Sequence, residues 1–272
     1  MPIKLVTYRS LLLALSLAML GCGDKQAGKA TGPGGKASAP RPALEADVPV
    51  LRWFPPDAGL VAVAGSLEEL LRAAQQLASL APGLDLTPLG EQPFDANLWA
   101  ERGVIASAPV GLFISGASVT AVLPTTERGK LSAWARDNYQ GEIQSARHKG
   151  NQVSHSEYGE AKWSWLEVDG YFVIHLAPAA GPMAEGPGFA WLDAMVGAAS
   201  GSAYSGTASA REAYDFRKEG EVWGSAMPSA LLATWLGGSD RFACAGLVRK
   251  LNGLVFAASL QGQRAVLRSA VQ

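Results

Sequence analysis

The sequence predicts an α+β protein: an antiparallel sheet built from hairpins and meanders, with helices packed on one face. Three observations carry this. Short runs of β-branched and aromatic residues recur between two-residue turn signals, as antiparallel strands require. Leu67, Leu70, Leu71, Ala74, Leu77 and Ala78 form one apolar stripe at helical spacing. Finally, Gln152 to Ala177 gives a single consistent pairing when its turns are taken at face value.

The first element is not part of the fold. Lys4 and Arg9 precede an apolar run from Leu11 to Leu20 that only Ser16 interrupts. Such a run is shorter than the roughly 20 residues a membrane span needs and matches the core of a signal peptide. It ends in Met19-Leu20-Gly21-Cys22. Residues 22–47 are rich in Gly, Ala, Pro and Lys without hydrophobic periodicity, the composition of a disordered tether. A globular region is expected over 48–272, as one compact unit or as two similar subdomains, 48–180 and 181–272.

Within that region Leu51 to Phe54 leads to a stop at Pro55-Pro56, and Leu60 to Ala64 reads as a short buried strand. Ser66 and Glu69 have capping-box spacing at the head of the striped helix, which Pro82-Gly83 ends. A short helix from Asp95 to Arg102 stops at Gly103. The strands Val110–Ile114 and Val119–Leu123 flank a hairpin turn. A helix from Glu127 to about Tyr139 turns Leu131, Trp134 and Ala135 inward.

The meander that follows turns at Gly159-Glu160 and at Asp169-Gly170, the latter a type I′ signal. This register sets Trp163 and Trp165 against Leu176 and Ile174, with Val153, Leu166 and Val173 on the opposite face. Glu157 falls across from Lys162. Helices near Phe189–Val196, Ser209–Lys218 and from Pro228 follow. Strands are expected near Val222-Trp223, Phe242–Val248, Leu254–Leu260 and Ala265–Val271. Strand, helix and hairpin thus occur in the same order at 60–123 and at 222–271, the outline of a diverged internal repeat.

Composition excludes some functions. Hydrophobic residues make up 48% and charged residues 17%, enough for a sizeable core. From Val48 onward 17 Lys and Arg stand against 21 Asp and Glu, a net −4. That balance lacks the basic footprint a phosphate backbone requires, so nucleic acid is excluded as a partner. Of the two cysteines, Cys22 and Cys244, the second lies in an apolar run and reads as a small core hydrophobe.

Catalytic motifs are sparse. Tyr214 and Lys218 have the Tyr-x-x-x-Lys spacing of short-chain dehydrogenases, but no glycine-rich strand-to-helix turn for a dinucleotide accompanies them. Nucleophile elbows and the familiar zinc spacings are absent. The meander register does place His155, Ser164 and His175 in one row, with Glu157 on the same face. These residues, His155, His175 and Glu157, are the candidate metal ligands. Two strand spacings put the histidine backbones roughly 10 Å apart, wide for a shared ion. A half-exposed polar strip is the plainer account of the row. Trp163 and Trp165 share a face as a sugar-stacking platform would need, but their predicted neighbours are those of a core. No cofactor is expected.

Met19-Leu20-Gly21-Cys22 resembles the lipobox of bacterial lipoproteins, although that family more often has Leu where Met19 stands and a smaller residue where Leu20 stands. The resemblance implies removal of residues 1–21, acylation of Cys22 with palmitate-type chains, and attachment to the cell envelope. Gly23 rather than Asp after the cysteine matches the enterobacterial sorting pattern for the outer membrane. The globular region loosely resembles uncharacterised exported bacterial proteins that open on Pro-Asp, here Pro56-Asp57, which implies no activity. The resulting expectation is a membrane-anchored envelope lipoprotein, a non-catalytic binding or structural module with another envelope protein as candidate partner. The alternatives are a hydrolase or metal-dependent enzyme with its site near His155 and His175, and a carrier of lipid or lipoproteins.

Overall fold

The structure, a computed structural model, describes residues 41–80, 95–138, 142–158, 161–179, 188–227, 253–261 and 264–271. The leader, Cys22, the helix expected from Pro228 and the strand expected at 242–248 with Cys244 lie outside the described residues.

Chain order within them is helix α1 (Arg41–Asp47), a 3-10 turn (Pro49–Trp53), β1 (Leu60–Ala64), α2 (Leu67–Leu80), α3 (Ala96–Glu101), β2 (Val110–Ser115) and β3 (Ser118–Pro124). Then come α4 (Lys130–Asn138), β4 (Gln144–His148), β5 (Asn151–Tyr158), β6 (Ala161–Val168) and β7 (Tyr171–Pro178). Helix α5 (Ala190–Gly197), α6 (Ala208–Phe216), β8 (Val222–Ala226), β9 (Leu254–Gln261) and β10 (Arg264–Val271) complete it. The class is the predicted one: an α+β protein on a ten-stranded sheet in the order β10-β9-β8-β1-β2-β3-β7-β6-β5-β4, with every pairing antiparallel.

Three local differences have physical causes. The last part of the stretch expected as tether over 22–47 is folded: Arg41–Asp47 is helical and buries Leu44 at 2% exposure. A single apolar residue per turn docks this helix, too sparse a pattern to read as amphipathic. Strand β4 went unpredicted because its turn is Lys149-Gly150, with both residues at positive φ (48° and 84°). That is type I′ geometry with Lys where Asn or Asp is the usual signal. The helix expected from Glu127 begins at Lys130 instead, after Gly129 at φ 89°.

Helices cover both faces of the sheet rather than the one expected. On the first face Val61, Phe113, Val122, Val153, Leu166, Val173 and Val255 pack with Trp53 and Phe54, with Trp191, Leu192 and Met195 of α5, and with Ala210 and Ala213 of α6. On the second, Ala64, Val110, Leu123, Trp165 and Phe172 meet Leu67 of α2 and Leu131 and Ala135 of α4. Strand alternation explains this: nearly every position of β1, β2 and β7 is apolar, so both faces need cover.

Caps set the helix starts. The Ser66 hydroxyl accepts from the Glu69 amide at 3.1 Å, and Asp95 accepts from the Asn97 amide at 2.9 Å. Glu167 of β6 does the same for α4 from a distance, accepting from the Gly129 amide at 2.5 Å, the Ser132 amide at 3.3 Å and the Ser132 hydroxyl at 2.8 Å. Replacing Glu167 with Ala should therefore cost about 1–2 kcal/mol and fray α4 first. Urea melts combined with amide exchange over residues 130–138 test this; a loss spread evenly over the domain would rule out a capping role.

Among the described residues, the strands of the two segments 60–123 and 222–271 are arranged alike in the sheet. β1 and β8 lie antiparallel at the centre, with Ala62 opposite Gly224 and with Leu60↔Ala226 and Ala64↔Val222 arranged about that point. Each continues outward into its own hairpin, β2-β3 and β9-β10. The two segments proposed as subdomains, 48–180 and 181–272, contribute to this one continuous sheet.

Candidate functional site

The predicted meander register is observed residue for residue. His155↔Ser164 and Ser164↔His175 pair across β5, β6 and β7, and Glu157 lies opposite Lys162. The row extends to Gln144 on β4 and Thr120 on β3. Helix α5 lies over it.

The three candidate ligands part company there. His175 is 1% exposed, stacked on Trp191 of α5 with ring centroids 4.3 Å apart and planes 4° apart. Its Nδ1 shares a hydrogen bond of 2.8 Å with the Thr120 hydroxyl. His155 is half-buried at the rim, its ring 6.0 Å from that of Phe189. Burial, then the Lys162 ammonium, hold its imidazole below the ordinary value, against the opposing pull of Glu157. Glu157 is exposed. One histidine is thus enclosed by aromatic and hydroxyl groups and the other lies two strands away, so the row does not converge on a shared ion. Among the described residues no group of three or more His, Cys, Asp or Glu side chains could hold a metal.

Strand β4 brings in a residue that sequence reasoning missed. His148 Nε2 lies 2.7 Å from Asp193 Oδ1 on α5, and Lys149 Nζ donates to the same oxygen at 2.9 Å. The bond to His148, then that to Lys149, draw the Asp193 carboxyl below its ordinary range. Phe189 sits between the two outer histidines, 5.6 Å from the His148 ring, with Lys162 Nζ 5.9 Å from its centroid. Reading Lys149-Gly150 as a hairpin turn would have exposed β4 and, with it, His148 on the face of His155.

The dehydrogenase-like pair resolves differently. The Tyr214 hydroxyl donates to Asp47 of α1, and the Arg217 guanidinium lies 3.5 Å from the ring centroid. The Asp47 bond, then burial, raise this phenol above its ordinary value, the reverse of what a phenolic base needs. Tyr214 is a clasp on the first helix. Trp165 is 2% exposed in the second-face core, while Trp163 is partly exposed beside it. The sugar-platform reading fails for Trp165.

Fold and site together define a broad antiparallel α+β protein whose most concentrated polar chemistry is a histidine-lined seam under one short helix. No family model matches the chain, and no curated protein matches it. Among solved structures, three crystal forms of TP0453 are similar in fold. Form I has a TM-score of 0.48 at 10% identity, covering 84% of this chain and 80% of that one. Form III has 0.47 at 10% over the same shares, and form IV has 0.48 at 11%, covering 85% and 83%.

Proposed function

We propose that this chain is a lipid-anchored protein of the bacterial cell envelope whose folded region is a non-catalytic binding or structural module. The observation that carries the reading is Met19-Leu20-Gly21-Cys22 at the end of a basic, then apolar, leader. Spacing is compatible with it. Helix α1 begins at Arg41, 19 residues after Cys22. Among the described residues no helix is long and apolar enough to cross a membrane, so anchorage in this proposal rests on acylated Cys22. The non-catalytic half draws support from the groups that could have carried chemistry. His175 is committed to Trp191 and Thr120, and Tyr214 to Asp47.

The test is mass spectrometry of the processed protein with detergent-phase partitioning of wild type and Cys22→Ser. The expected mature chain starts at Cys22 with acyl chains attached and enters the detergent phase. The variant should keep its leader and lose acyl label entirely. An unmodified thiol, or a start at another residue, overturns the anchor. Fractionation of the acylated form then decides between outer and inner membrane.

A further inference from the structure

Among the described residues three arginines stack on aromatic rings, and two of them also have an oxygen to bond. Arg52 lies over Trp53 and Tyr171, 4.5 and 5.6 Å from their ring centroids, and its Nη2 reaches Asp169 Oδ2 at 3.4 Å. Arg217 lies over Tyr214, and its Nη1 donates to the Tyr214 carbonyl at 2.7 Å. Arg102 is the third. Its guanidinium carbon is 4.3 Å from the Trp134 centroid and 5.1 Å from that of Trp99. Its Nη1 is buried with no hydrogen-bond partner, while the residue as a whole is half-buried and within reach of solvent. Burial holds this guanidinium below its ordinary value, against the opposing pull of Glu101. A cation drawn out of water without a bonded counter-charge is costly, and an anion relieves that cost.

A second cation stands beside it. Gly103, next in the chain, is at φ 91°, and a Cβ built on it would lie 3.4 Å from Lys130 Cδ. The Lys130 ammonium is 3.7 Å from Glu127 Oε1 with both side chains exposed, a loose pair. Lys130 and Trp134 are four residues apart on α4, and Trp99 and Arg102 three apart at the end of α3. Each segment therefore carries one ring and one cation on the same side. The two rings meet edge to face, with centroids 5.7 Å apart. Backbone contacts fix the two segments to each other: the Gly103 carbonyl accepts from the Thr126 amide at 2.8 Å, and Val104 bridges Thr125.

From this placement we propose that Arg102 and Lys130, backed by Trp99 and Trp134, form a phosphate-binding site.

Each part has a role. The planar guanidinium fork matches two oxygens of a phosphate, and the ammonium adds a point charge on a flexible stem that can swing from Glu127. A carboxylate has oxygens for the fork alone, whereas a phosphate has a further oxygen for Lys130. The Trp rings hold the guanidinium plane in place, so little side-chain freedom is lost when the anion arrives. Glu101 and Glu127 are the acids that compete with it. The same chemistry serves a free phosphate or the phosphate of a lipid headgroup.

The test titrates sodium phosphate into the purified full chain at constant ionic strength, with tryptophan fluorescence as readout and sodium chloride as blank. Wild type should respond saturably. Arg102→Gln should weaken the apparent affinity about tenfold or more, and Lys130→Gln roughly threefold. Lys130 is exposed, so its variant keeps the test decisive even where Arg102→Gln loosens the end of α3. A parallel titration uses vesicles of phosphatidylcholine with and without phosphatidylglycerol. A response to inorganic phosphate alone assigns free phosphate, and an Arg102-dependent response to the phosphatidylglycerol vesicles assigns a lipid headgroup. No saturable response in either titration overturns the site. So does a response that either variant leaves at full strength.

Discussion

Replacing Phe54 with Ala should lower the free energy of unfolding by about 3–5 kcal/mol, among the largest losses any single side chain in this protein can produce. Phe54 is fully buried at the end of the 3-10 turn, its ring 5.4 Å from that of Phe113 on β2. The space it fills is shaped by an absence. A Cβ placed on Gly111 would come within 2.7 Å of Phe54 Cζ, so the ring lies where β2 has no side chain. The Phe54 carbonyl also accepts from the Tyr204 amide at 2.7 Å, which fixes the backbone and limits how far the walls can collapse into the hole. A cavity that cannot close costs the lost transfer energy and the lost contacts together. Urea titration measures it: the midpoint should drop while the slope holds. A loss below about 1 kcal/mol would mean that the segment before β1 is not part of the core.

Gly224→Ala should be nearly as damaging, through crowding rather than emptiness. A Cβ on Gly224 would stand 1.9 Å from the Val61 carbonyl oxygen and 2.8 Å from its carbon, and backbone in the middle of a sheet cannot step aside. Gly224 faces Ala62 at the centre of the β1–β8 pairing, the joint between the two hairpin units. The expected cost is at least about 3 kcal/mol, at the upper end for overpacking. Exchange protection should fall first in β1 and β8. Gly197→Ala makes the control: its φ is −60°, nothing lies within 4 Å of the added carbon, and stability should rise by about 0.4–1 kcal/mol. If both substitutions have the same small effect, the central joint is looser than the pairing implies.

Neither effect is foreseeable from the local sequence. Gly111 and Gly224 each sit inside a strand-like run, where glycine reads as a weak point. Their need arises from Phe54 and Val61, which are distant in the chain. The meander is the opposite case. Asp169 and Gly170 both adopt positive φ, as their turn signal requires, and a two-residue turn leaves one register open to the strands it joins. The row His155, Ser164, His175 was therefore legible before any tertiary information. What the row does was not. Both the candidate metal site and the half-exposed polar strip depended on what lies above the sheet, and the cover is Phe189, Trp191 and Asp193, whose alignment over the row comes from the packing of α5 on the core.

Sequence by itself determined the α+β class, the capped helix start at Ser66, and the pairing of β5, β6 and β7. Each is written in neighbours a few residues apart, through turn dihedrals, caps and side-chain period. Tertiary structure alone decided that helices cover both faces, that Arg41–Asp47 belongs to the fold, and that three histidines converge on one helix. Those outcomes are contacts across long stretches of chain, and their energy comes from surfaces that exist only once both partners are in place.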